Sequence, residues 1–84
     1  MSAEIIRRLE IVSKAVAKSA AAEVESAIRQ AREAVQKSGK DAELEKLDSE
    51  LSTWQSKLSA ILKEPAGRHG MSRHCQYWME KLRS

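Results

Sequence analysis

The chain has 84 residues, a formal net charge of +3, three aromatic residues and one cysteine. That size allows one domain with a thin core, and a composition rich in Ala, Glu, Lys, Leu and Ser with few β-branched alternations favours helix over strand. Cys75 alone excludes an intrachain disulfide framework and fits a reducing, cytoplasmic setting; no run approaches membrane-spanning length, and Glu4, Arg7, Arg8 and Glu10 interrupt the N-terminal region, so neither a signal peptide nor a transmembrane helix is expected.

The first element predicted is one long helix over about 2–37. Its apolar series, Ile5, Leu9, Val12, Val16, Ala20, Val24, Ile28, Ala31 and Val35, advances mostly by four and describes a nearly straight stripe. Ser2 is a plausible start, and Ser38-Gly39 is a stop signal because Gly closes a helix in the left-handed conformation. Asp41 then caps a second helix over about 41–63, with Glu43 and Glu45 where the helix dipole favours negative charge.

Within the second helix, Leu44, Leu47, Leu51, Trp54, Leu58 and Ile61 repeat at 3-4-3-4-3. That is a coiled-coil seam, and it requires a facing helix. A short turn at 38–41 makes the two arms antiparallel, placing Val35 opposite Leu44, Ile28 opposite Leu51, and Ala20 and Ala21 opposite Leu58. The alanines of 15–22 either let the backbones approach or merely raise helix propensity.

Pro65, Gly67 and Gly70 end the second helix and predict an elbow at 64–70. A third helix over about 72–83 follows, capped by Ser72, with Met71, Cys75, Trp78 and Leu82 at 4-3-4 spacing. Helix one would span about 54 Å and helix two about 33 Å, so Ile5, Leu9 and Val12 would overhang and helix three is expected to lie along them. The expected fold is therefore all-α: a single domain built as a long antiparallel hairpin plus a short C-terminal helix. Ile6 and Ile11, flanking the stripe, and Trp78, an aromatic anchor, are the candidate partner-binding residues of a homodimeric bundle; the alternative is a monomeric three-helix bundle.

Residues 1–62 carry ten Lys or Arg against ten Asp or Glu, so the net charge resides in the tail. Arg68, Arg73, Lys81 and Arg83, interleaved with Tyr77 and Trp78, are the candidate nucleic-acid contacts. His69, His74 and Cys75 are too few and too divergent on a helix to form a closed metal site, and no catalytic constellation is present. No cofactor is expected. The leading reading is a small non-enzymatic interaction module, an adaptor, chaperone or regulator, that binds itself and a protein partner. The second is a nucleic-acid-binding regulator using 68–83.

If Leu51 and Leu58 lie between the arms, replacing either by Ala costs about 2 to 5 kcal/mol, whereas Ser49→Ala changes little. Urea denaturation followed by circular dichroism checks this, and an unaltered Leu51→Ala midpoint would refute the seam.

Overall fold

The computed structural model describes residues 2–18, 20–39 and 41–83, and among these every regular element is an α-helix. The elements are α1 (Ser2–Lys18), α2 (Ala21–Lys37), α3 (Ala42–Ser56), α4 (Leu58–Leu62) and α5 (Pro65–Arg83). The long helix expected over 2–37 is thus two helices of 17 residues each. Ala20, with φ −72° and ψ 162°, takes the chain out of the helical region. Neither Gly nor Pro marks this corner. What favours it is burial: folding back puts Ile5, Leu9, Val12 and Val16 at 0–1% exposure, whereas a straight helix would leave them in water.

The turn after α2 follows the sequence signals. Ser38 donates its hydroxyl to the Ala34 carbonyl, Gly39 takes φ +96°, and the Asp41 carboxylate accepts the backbone N–H groups of Glu43 and Leu44. Arg32 meets Asp48 at 3.0 Å and Gln55 reaches Glu25, which agrees with the expected register to within one residue. Leu47 and Leu51 are fully buried and Leu58 nearly so, while Leu44, Trp54 and Ile61 are half-buried. Lys57 bends this arm between α3 and α4 without severing it: its N–H still donates to Thr53, and its carbonyl accepts from Ile61. The alanines at the corner behave differently from the close-packing expectation. Ala20 and Ala21 are exposed; Ala27, Ala31 and Ala34 are the buried ones.

The elbow expected at 64–70 is corrected to a tight corner at Lys63 and Glu64, because Pro65 opens α5 instead of preceding a linker. Proline suits the first helical position, where an N–H would lack a partner, and the Glu64 carbonyl caps the turn by accepting from Gly67 and Arg68. Ser72 therefore lies in mid-helix and shares a 3.0 Å hydrogen bond with Ser13. Gly67 has a steric purpose, since a Cβ there would stand 2.2 Å from the Ile61 carbonyl oxygen. Gly70 has none: a Cβ there would meet nothing within 4 Å.

Each rod runs antiparallel to its neighbours. Arg8 reaches Gln30 across α1 and α2, Lys81 pairs with Glu43 across α5 and α3, and Ser13–Ser72 together with Arg68 bonded to the Val16 carbonyl set α5 against α1. With α3 and α4 as one bent rod, the chain closes an up-down-up-down four-rod bundle measuring 33 × 21 × 17 Å. α5 lies along α1 as expected, packing Met71, Cys75, Trp78 and Met79 into the shared core. One chain supplies all four rods, so the overhang that motivated the dimer is absent.

Gly67→Ala is expected to destabilise by about 1 to 3 kcal/mol, the usual cost of overpacking. Gly70→Ala should instead stabilise by about 1 kcal/mol, the helix preference of Ala over Gly. Parallel urea titrations check the pair, and equal effects of the same sign would contradict the contact at Ile61.

Candidate functional site

α5 carries two adjacent stripes. Met71, Cys75, Trp78 and Leu82 turn to the core, and the residues one position earlier, Gly70, His74, Tyr77 and Lys81, form a second row with the same 4-3-4 spacing. A shift of one residue rotates a side chain by about 100°, so this row faces α3 instead of α1. At the α4 end the helices touch through Gly67 and Ile61. Toward the other end long side chains span the gap, leaving a groove of about 560 Å³ lined by Glu50, Gly70, Arg73, His74 and Tyr77. A shallower hollow of about 290 Å³, lined by Ser49, Glu50, Thr53, Trp54 and His74, adjoins it. Glu50 and His74 border both.

Glu50 organises this face. Its Oε1 accepts the His74 Nδ1–H at 3.0 Å and the Trp78 Nε1–H at 3.1 Å. Trp78 is 2% exposed, and a buried indole N–H without an acceptor is costly, so the carboxylate holds the ring in place. The rings then form a string. Trp54 meets His74 edge-on with centroids 6.1 Å apart, His74 meets Tyr77 at 6.3 Å, and Tyr77 meets Trp78 at 5.6 Å. Lys81 closes it: its Nζ lies 5.6 Å from the Tyr77 centroid and 5.4 Å from that of Trp78 while pairing with Glu43 at 2.7 Å. The bond to Glu43 holds the Lys81 ammonium above its ordinary value of 10.5.

The residues picked from sequence for partner contact do not form one surface. Ile6 packs against the core, Ile11 remains 43% exposed, and the two lie about 140° apart around α1. Trp78 is an internal anchor and not an exposed one. The four tail cations are dispersed as well. Arg68 is occupied in donating to the carbonyls of Leu62 and Val16, Lys81 is paired with Glu43, and Arg73 and Arg83 stand about 15 Å apart along α5. Among the described residues no three His, Cys, Asp or Glu side chains are grouped to hold a metal ion.

Sequence reasoning missed Glu50 and Gly70 as groove residues and Glu43 as the partner of Lys81. The second stripe on α5 is a visible signal, but its meaning depends on which helix stands beside it. The hollow near Glu4, Arg8, Gln30 and Lys37 is of similar size, yet Arg8 there is already bonded to both Glu4 and Gln30. No helix among the described residues is long and apolar enough to cross a membrane. Comparison of the chain with protein-family models, curated proteins and solved structures finds no match.

Chemically the groove offers aromatic edges, one organised carboxylate and flanking cations. No hydroxyl or thiol hydrogen-bonds to His74 among the described residues, and the thiol next to it is inert: burial pushes Cys75 from 9.0 up to about 12. A thiol that ionises only when unfolded stabilises the fold fully below pH 9 and progressively less as pH rises from 9.0 toward 12. The raised Lys81 acts in the same direction above 10.5. Through the thiol, urea stability is expected to fall between pH 8 and pH 11 by about two to three kcal/mol, and a Cys75→Ala variant, weaker overall, should show a flatter decline. Cys75 in the native protein should also resist iodoacetamide at pH 8; alkylation as fast as that of the unfolded chain would contradict its burial.

Proposed function

We propose that the protein is a small non-enzymatic interaction module that binds a segment of another protein along the groove between α3 and α5. The observation that carries this reading is the string of rings from Trp54 to Trp78, with Tyr77 52% exposed beside an open stretch of helix at Gly70. Aromatic side chains contribute large contact area with little entropy loss, and they are enriched where proteins bind proteins. Gly70 lets a partner backbone come close to α5.

Charge favours a peptide over nucleic acid. Glu43 and Glu50 lie on the same face as Lys81 and Arg73, so a phosphate chain would meet carboxylates, whereas a polypeptide with both signs of charge is accommodated. An adaptor, chaperone or regulator working in a reducing, cytoplasmic setting agrees with the single buried thiol.

The native protein, Tyr77→Ala and the far-side control Lys14→Ala should be immobilised and their captured proteins compared. Expected is a partner retained by the native chain and Lys14→Ala but lost, or weakened at least about tenfold, by Tyr77→Ala, consistent with an aromatic hot spot of about 2 kcal/mol. Indistinguishable captures by all three would refute the groove as the binding face. Binding to mixed DNA or RNA that falls steeply with salt would establish the nucleic-acid reading instead.

A further inference from the structure

The described residues that flank the corner between α1 and α2, Ala17, Lys18, Ala20, Ala21 and Ala22, favour its absence. Residues 15–22, Ala-Val-Ala-Lys-Ser-Ala-Ala-Ala, contain neither Gly nor Pro, and Ala is the strongest helix former. Ala20, the N-cap of α2, makes no side-chain capping bond, and Ala is among the poorest residues at that position. If the corner straightened, the N–H groups of Ala20, Ala21 and Ala22 would donate to the carbonyls of Val16, Ala17 and Lys18, completing bonds that a helix end lacks. Val16, Ala20 and Val24 would then continue one stripe from Ile5 to Val35 at helical spacing.

A straight helix over 2–37 measures about 54 Å, against 33 Å for the longest dimension of the bundle. It cannot be housed in one chain. α1 would project with Ile5, Leu9, Val12 and Val16 uncovered, and a slot of matching shape would open between α2 and α5. The same segment of a second copy fits that slot, since every contact it needs is the one α1 already makes: Arg8 to Gln30, Ser13 to Ser72, and the aliphatic stripe to Met71, Cys75 and Met79.

We propose that this chain forms a homodimer by exchanging α1 between two copies, with residues 2–37 straightened into one helix in each. A short connection whose sequence prefers another conformation is the recurrent setting for such exchange. Arg68 acts as the latch of the closed form. Its guanidinium donates to the Val16 carbonyl at 2.9 Å, the oxygen that would accept from Ala20 in the straight helix, while its bond to the Leu62 carbonyl is compatible with both forms. Proline at position 20 would have the opposite bias: φ −72° suits it, and it cannot occupy a helix interior. The exchange leaves the α3 and α5 groove intact, so it stands or falls independently of the function proposed above.

Ser13→Cys with Ser72→Cys in a Cys75→Ala background places a disulfide across the exchanged contact. The chain is refolded at millimolar concentration, oxidised and run on a denaturing gel. Exchange yields a covalent dimer of twice the 9.4 kDa chain mass; a closed chain, or two closed chains side by side, yields intrachain bridges only and overturns the proposal. Light scattering on chains without the added cysteines supplies the second readout. The dimer should be lost with Ala20→Pro and its fraction should rise several-fold with Arg68→Met. A dimer that survives Ala20→Pro, or a chain that remains monomeric even with Arg68→Met, overturns it equally.

Discussion

The structure depends on covering the apolar stripe of α1. Ile5, Leu9, Val12 and Val16 are buried to 0–1% exposure, and they share one face of α1. α5 covers that face from one side and α2 from the other. The contacts that make this possible are small and specific: Ala27 and Ala34 at 7% exposure let α2 lie close, the Ser13 and Ser72 hydroxyls satisfy one another at the α1 and α5 seam, and Arg68 takes up carbonyls at two helix ends. A small domain has little apolar area to spend, so each helix must serve two neighbours.

That commitment shapes the opposite side of α5. Once Met71, Cys75, Trp78 and Met79 are directed into the core, the row one residue earlier has only α3 to face, and α3 meets it with Glu43, Glu50 and Trp54. Backbone contact is made at one end, where Gly67 admits the Ile61 carbonyl. The remainder is bridged by charge and by ring edges. Glu50 links the interior to the surface here, holding the buried Trp78 indole and the exposed His74 imidazole with the same oxygen. Under the function proposed above, a groove organised in this way would present fixed side chains to a partner and lower the ordering cost of binding.

The basic excess of the tail is dispersed. Arg68 serves helix ends, Lys81 is held between Glu43 and two rings, and the remaining cations are spread along one helix. Coulombic attraction to a phosphate chain depends on cations acting together within a screening length, about 8 Å at physiological salt. This dispersal is what supports the mixed-charge protein contact proposed above.

Much of the local structure was legible without coordinates. Helical composition, the 3-4 seam from Leu44 to Ile61, the Ser38-Gly39 stop and the Asp41 cap all act over a few residues, and each stands where the spacing placed it. The register of α2 on α3 follows from the turn length, and the docking of α5 on α1 from the uncovered stripe. Three decisions lay beyond reach because they depend on distant partners. The corner at Ala20 opposes local propensity and is favoured by burial against a helix nearly fifty residues away. Pro65 reads alike as a terminator of one helix or the first residue of the next, and the fit of Gly67 on Ile61 selects the latter. The groove exists because α3 is the neighbour that faces His74 and Tyr77. Sequence spacing determines which residues share a face of a helix; only the closing of the four-rod ring decides what each face meets.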